Sequence, residues 1–390
     1  MVFLNDLWLS RRALAGFVVI AGAWACFFAQ MPVIKAAIGA SDGTYGSVVL
    51  LASLGALAAM WLAPLAHRIA GRLAMPGAAL LVAAGMLTAG ASGGLVSFTI
   101  GMTVASVGSG IVDVLVNVRV SEAEERHGRP LMNLNHAVYA FAYAGAALLT
   151  GVLREMSFTP VQVFTGFTVL VIVLCFVMTG RRKVAVREAV PSLSPDGLPH
   201  ALVWLGGALV LAAFLVEASA EGWSALHLER TLGGGPAQGA LGPAILGLTM
   251  GIGRLAGHFL SARLPELRLM AAAALTAALG LFIAGAAPGL VVAYVGFGLT
   301  GLGVSVVAPL ALALVGRLVD PQDRLAAISR ASVMGYGAFF VGPPLMGLTS
   351  EMLGLRAGFF VVGGVMVFAA LVLVPSLSRA VTARSGLRRA

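Results

Sequence analysis

Twelve apolar runs, each about 20 residues or longer, dominate the 390-residue chain. They fall at 13–34, 44–66, 74–92, 95–119, 132–153, 160–180, 201–226, 237–261, 267–286, 289–316, 325–349 and 354–377. About 20 apolar residues in helical form cross the roughly 30 Å hydrocarbon layer of a bilayer. Lipid leaves open backbone groups unsatisfied, so a spanning segment must be a helix or part of a closed barrel. The runs lack the alternation of barrel strands, which leaves an all-α membrane protein of twelve transmembrane helices.

Composition agrees. Hydrophobic residues make up 59% of the chain and charged ones 11%, against about 25% charged in soluble domains, too few to cover a soluble protein of this size. The 50 glycines are scattered singly through apolar runs, where small residues let helices approach closely. Cys26 and Cys175 both lie inside such runs, with neither metal-ligand spacing nor a disulfide framework. A basic pair, Arg11-Arg12, precedes the first run. No small-residue cleavage site follows, so a retained first helix is expected rather than a signal peptide.

The net charge of +9 would suggest nucleic-acid binding in a soluble protein. Here the positions matter more. With the N-terminus taken as cytoplasmic, Lys35, Arg154, Arg230 and Arg356 fall on the far side and Arg254 within a span, and the other basic residues sit at cytoplasmic ends and loops. That asymmetry predicts both termini inside. It also explains the charge as orientation and contact with anionic lipid, with no nucleic-acid partner.

The polar stretch 181–200 separates six spans from six, so the chain is expected to consist of a half at 1–180, a cytoplasmic linker and a half at 201–390. A weak internal repeat supports this division. Lys35-Ala-Ala-Ile-Gly39 matches Glu229-Arg-Thr-Leu-Gly233 at an offset of 194, and Gly108-Ser-Gly110 matches Gly301-Leu-Gly303 at 193. Two pseudo-symmetric six-helix halves of parallel topology are a transporter pattern, with the substrate site where the repeats meet.

The sequence resembles the major facilitator superfamily over nearly its whole length, and within it the fucose-permease-like branch of bacterial inner-membrane members. The supporting segments are Pro32 to Gly43 after the first span, Asp113-Val-Leu-Val-Asn117, Gly128-Arg-Pro-Leu-Met132 with Asn135-His136, Glu217-Ala-Ser-Ala-Glu221-Gly-Trp-Ser224, and Gly253-Arg-Leu-Ala-Gly257. The resemblance implies the major facilitator fold, alternating access and an inner-membrane location. There are departures. The loop Ala66 to Arg72 carries no carboxylate, and Ser261 to Arg268 lacks the usual order of acid then Arg, so a salt-bridge latch is not built in the usual way at either loop. The fifth span also lacks the Gly-Pro signature of many drug-proton antiporters.

Ionisable groups inside spans are costly and usually face a bundle interior or an aqueous cavity. Among the acids these are Asp113, Glu217 and Glu221. Glu217 and Glu221 share a helix face by their spacing of four, and two such carboxylates do not both ionise easily, so one can exchange a proton. All three are proton-coupling candidates. Asn117 shares a face with Asp113. Arg254 cannot readily shed its charge and needs a carboxylate, helix-end carbonyls, water or an anionic solute. With Trp24, Gln30, His136, Tyr139 and Tyr336, these two form the candidate substrate-binding set; His258 accompanies Arg254 four residues on. Gly296-Phe-Gly-Leu-Thr-Gly301 spells a dinucleotide fingerprint, but it lies within an apolar helix and follows no strand, so helix packing explains it.

No catalytic or metal-ligating constellation is present, and neither enzyme activity nor a cofactor is expected. The expected function is proton-coupled secondary transport of a small sugar-like, carboxylate or amphipathic solute by a monomer in lipid. The alternatives are proton-driven efflux of drugs, metabolites or siderophore-like compounds, and a non-transporting receptor or scaffold.

Overall fold

The computed structural model describes residues 2–129, 131–179, 200–261, 263–320 and 323–387. These form fourteen α-helices: α1 (Val2–Ala37), α2 (Asp42–Ala70), α3 (Ala74–Gly90), α4 (Leu95–His127), α5 (Met132–Glu155), α6 (Pro160–Met178), α7 (His200–Leu226), α8 (Pro236–Ser261), α9 (Glu266–Ala286), α10 (Leu290–Leu318), α11 (Arg324–Tyr336), α12 (Ala338–Leu353), α13 (Leu355–Phe368) and α14 (Val374–Leu387). Most of the linker, 181–199, lies outside the described residues.

Among the described residues twelve stretches are long and apolar enough to cross a membrane. The expected eleventh span is broken at Gly337 into α11 and α12. Gly335 and Gly337 flank the break, and Pro343 and Pro344 remove two backbone donors a turn or two further on. The twelfth span contains a π-turn, Ala369–Leu373, between α13 and α14. A second π-turn, His227–Thr231, continues α7.

Helix ends follow local chemistry. Thr159 and Gln162 form a reciprocal capping box ahead of Pro160 at the start of α6. Ser41 caps α2 by accepting from the Thr44 N–H. Gly39 (φ +63°) and Gly233 (φ +72°) both take the left-handed conformation just past a helix end, as a side-chain-free residue does most easily. They are also the two glycines aligned at an offset of 194, so the repeat has a conformational basis there.

Two compact units emerge. The first comprises Met1–Glu188 with Gly222–Leu248. Its centre is α1, packed against α3, α4, α5 and α6, with Phe17, Val19, Ala21, Ala23, Ala25, Phe27 and Ala29 buried. The second comprises Ala189–Glu221 with Thr249–Ala390. In it α9 packs on α10 and α13, and α13 also packs on α12.

One crossing recurs in both units. A Cβ at Gly85 would lie 2.4 Å from the Ala105 nitrogen, and one at Gly101 would lie 2.6 Å from the Ala89 nitrogen, so α3 and α4 meet backbone to backbone. On α9 and α10, Gly280 faces the Thr300 nitrogen at 2.4 Å and Gly296 faces the Ala284 nitrogen at 2.5 Å. Gly108 and Gly303 repeat the same role against Val82 and Ala277. The packing therefore equates Gly108 with Gly303, two residues from the register read from Gly108-Ser-Gly110. Gly296 and Gly301 of the apparent fingerprint are buried in α10, and Gly296 serves this crossing. At the second departing loop, Glu266 at the start of α9 pairs with Arg317 at the end of α10, so an inter-helix ion pair is present there despite the altered acid order.

Candidate functional site

In the first unit α1 is covered over residues 13–31, yet Leu14, Val18, Trp24 and Phe28 stay partly open. These four positions share one face of α1 by their helical spacing. Trp24 donates from Nε1 to Ser109 Oγ at 3.0 Å, and its ring stacks on Phe28 with centroids 5.7 Å apart. Ser109, Asp113 and Asn117 follow at intervals of four along α4, forming one polar stripe. Asn117 Nδ2 donates to the Asp113 carbonyl at 2.8 Å and to Asp113 Oδ1 at 3.2 Å. Among the described residues no cation lies within ion-pair distance of Asp113.

His136 and Tyr139, half-buried on α5, pack edge-on against Phe17 with centroids 5.1 and 6.3 Å away. The same helix turns Phe141, Leu148, Leu149 and Val152 outward, the face expected against lipid. Gln30 is fully buried. Its Nε2 donates to the Cys26 carbonyl at 3.0 Å, and its Oε1 has no partner among the described residues.

An ion network that sequence reasoning did not assemble also belongs to this unit. Arg154 on α5 grips Glu229 of the first π-turn with both guanidinium nitrogens, at 2.6 and 3.0 Å, and donates to the Ala29 carbonyl on α1 at 2.6 Å. The next residue, Arg230, holds Asp42 at the start of α2 just as doubly, at 2.8 and 2.6 Å. Lys35 adds a 2.8 Å contact to the same carboxylate. Beside these pairs the α7–α8 hairpin docks through small residues: Ala21, Ala25 and Ala29 of α1, Ala147 of α5 and Ala240 and Ala244 of α8 form one buried cluster around Tyr143. Close approach of this kind is how helices associate where no hydrophobic driving force exists.

In the second unit Glu217 on α7 faces Arg254 on α8, Oε1 to Nη2, at 3.6 Å. Of the partners that Arg254 needs, a carboxylate thus stands on the neighbouring helix. Glu221 is half-buried one turn on. Tyr336 joins Phe214 and Phe339 in an aromatic triangle with centroids 5.8 to 6.2 Å apart, and Phe214 lies one turn before Glu217 on α7. The His258 side chain falls outside the described residues.

The family model for the Major Facilitator Superfamily matches residues 205–389. An uncharacterized transporter, y4wD, of Sinorhizobium fredii is 29% identical over 376 residues, spanning 93% of this chain and 96% of that protein. An uncharacterized MFS-type transporter of Yersinia pestis is 27% identical, covering 90% of each. The solved D-xylose-proton symporter superposes with a TM-score of 0.75 at 17% identity, over 95% of this chain and 97% of that one. The family model's match lies in the second half of the chain, while the similarity to MFS-type transporters runs over nearly its whole length. With twelve membrane-capable helices among its described residues, the chain has the make-up of a multi-pass membrane protein and is similar to transporters of that kind.

The ion network was partly visible in the sequence. Lys35, Arg154 and Arg230 were three of the four basic residues that broke the charge asymmetry, and all three are held by carboxylates. The fourth, Arg356, donates to the Gly285 carbonyl at 3.1 Å. Each of these four basic residues therefore has a local acceptor.

Proposed function

We propose that the chain is a proton-coupled secondary transporter of a small organic solute, working by alternating access in the bacterial inner membrane with both termini cytoplasmic. The observation carrying this reading is Asp113: a carboxylate within a membrane span, bonded to Asn117 of its own helix and flanked by no cation among the described residues. A group so placed can take up and release a proton as its surroundings change, because leaving an isolated charge in a poorly solvated interior is costly. Glu217 and Glu221 are the second proton-carrying candidates, with Glu217 answering to Arg254.

Residues 1–180 and 201–390 are the bodies that would move. The π-turn pairs Arg154–Glu229 and Arg230–Asp42 would then act as a latch on the side opposite the termini. Solute contacts are assigned to Trp24, Asn117, His136, Tyr139, Arg254 and Tyr336, with Gln30 lending its unpaired buried carbonyl. The fucose-permease-like resemblance and the D-xylose-proton symporter fold support a small solute, and a monomer in lipid is sufficient for the mechanism.

The test is flux into proteoliposomes under an imposed pH gradient, with a panel of sugars, carboxylates and amphipathic solutes. Gradient-dependent accumulation of at least one solute is expected. Absence of flux across the panel, together with absence of ligand-dependent stabilisation, overturns transport and favours a receptor. Flux indifferent to the gradient overturns proton coupling alone.

A further inference from the structure

Among the described residues the arginine ion pairs differ in their grip. Arg154–Glu229, Arg230–Asp42 and Arg129–Asp6 are each gripped by two nitrogens, with distances between 2.6 and 3.0 Å. Arg254–Glu217 touches through one atom pair at 3.6 Å, beyond hydrogen-bond range for N–H···O. Arg254 makes no other hydrogen bond or ion pair among the described residues, although its side chain is only 28% exposed and that of Glu217 21%. A guanidinium offers five donors in a rigid planar fork that suits a carboxylate. This one lies within an apolar span, Pro236–Gly257, with its donors unused among the described residues.

Local packing explains why the fork stays free. Gly253 and Gly257 seat α8 closely on Ser305 and Val306 of α10, which turns the intervening Arg254 towards α7. Side chains of a helix lean back towards its N-terminus, so Arg254 reaches along α8 towards the level of Glu217.

We propose that Arg254 is the binding site for the carboxylate of an organic monoanion, and that Glu217 is its internal competitor. This rests on the transport reading above and names its substrate class. The incoming carboxylate takes both Nη donors of Arg254, and Glu217 yields its loose contact. One cation, with Glu217 and Glu221 on the facing helix, suits a single negative charge and repels a dianion such as phosphate. Arg330 does not alter this balance. It lies one turn before Met334, which packs at Gly207, and so stands near the other end of α7. Phe214, Tyr336 and Phe339 supply flat apolar surface beginning one turn from Glu217, which favours an aryl or otherwise apolar body behind the carboxylate.

Purified protein in nanodiscs, titrated with benzoate, phenylacetate, benzamide and inorganic phosphate and read by thermal shift, tests the assignment. Benzoate or phenylacetate should stabilise the wild type, while the neutral isostere benzamide and phosphate should not. Glu217→Gln, by removing the competitor, should tighten carboxylate binding about tenfold or more. Arg254→Gln should abolish it, and Arg254→Lys, which keeps the charge without the fork, should weaken it at least about tenfold. The double variant Glu217→Gln/Arg254→Gln strands no charge and keeps the test readable if the single Arg variant fails to fold; it should be stable and bind no carboxylate. Benzamide binding equal to benzoate, carboxylate binding that survives in the double variant, or no carboxylate binding by the wild type overturns the site. If the wild type nevertheless carries a neutral solute across proteoliposomes, the transport reading stands and only the anion site falls.

Discussion

The Arg154–Glu229 pair gives the sharpest quantitative expectation. Its side chains are 7% and 16% exposed, so Glu229→Gln leaves a guanidinium nearly out of water with no counter-charge, facing only neutral acceptors such as the amide oxygen and the Ala29 carbonyl. Breaking a buried pair from one side costs about 3–5 kcal/mol. Even about 3 kcal/mol moves a two-state equilibrium by more than about 100-fold, since each 1.4 kcal/mol is tenfold. The chain carries its own reporter. Cys26, 7% exposed, lies one turn from Ala29 on α1 and accepts a 3.2 Å hydrogen bond from Thr150, itself one turn from Arg154. In a Cys175→Ser background, alkylation of Cys26 by a maleimide should be slow and should accelerate about 100-fold in Glu229→Gln. The double variant Arg154→Gln/Glu229→Gln strands no charge and should return to within about tenfold of the parent rate. Glu266→Gln breaks a pair whose Arg317 is 52% exposed, worth about 0–1 kcal/mol, and serves as the control that changes little. An unchanged alkylation rate in Glu229→Gln, or a double variant whose effect is the sum of the singles, refutes the latch.

Three further outcomes are expected. Asp113→Asn should abolish accumulation driven by a pH gradient while leaving solute exchange at equal pH; gradient-driven uptake at the parent rate would remove Asp113 from the coupling mechanism. Gly101→Val and Gly296→Val should each lower thermal stability, by about 1–3 kcal/mol or more from overpacking, because the added Cβ meets backbone nitrogen at 2.6 and 2.5 Å; a stability loss at only one of the two would show that the crossings are not equivalent. Glu124→Ala should loosen the start of α5 by about 1 kcal/mol, because Glu124 Oε1 accepts from the Leu131 and Met132 N–H groups at 2.6 and 2.8 Å; hydrogen exchange at those two amides measures it.

The spans were legible because lipid imposes one rule on every helix: about 20 apolar residues in a row with the backbone satisfied internally. Partnerships between helices obey no such rule. Spacing on one helix put Glu217 beside Glu221 and Asp113 beside Asn117, because i,i+4 geometry can be read without knowing the fold. It could not put Arg254 beside Glu217, which depends on which neighbour α8 turns towards, and that is decided by Gly253 and Gly257 seating the helix on α10. The repeat shows the same limit. Matching letters at Gly108 and Gly301 gave an offset of 193, whereas the glycines that play the same role, Gly85 with Gly280, Gly101 with Gly296 and Gly108 with Gly303, are defined by what a Cβ there would strike. Glycine's function at a crossing is to be absent as a side chain, so the sequence marks where a close approach is permitted and only the partner helix shows where it is used. The acids follow the converse logic: a carboxylate that finds a two-nitrogen grip, as Asp42 and Glu229 do, is held in place, while Asp113, with no cation in reach among the described residues, and Glu217, with one loose contact, are not held in this way. That distinction, invisible in a count of intramembrane charges, separates the carboxylates that fasten helices from those on which the proposed proton coupling rests.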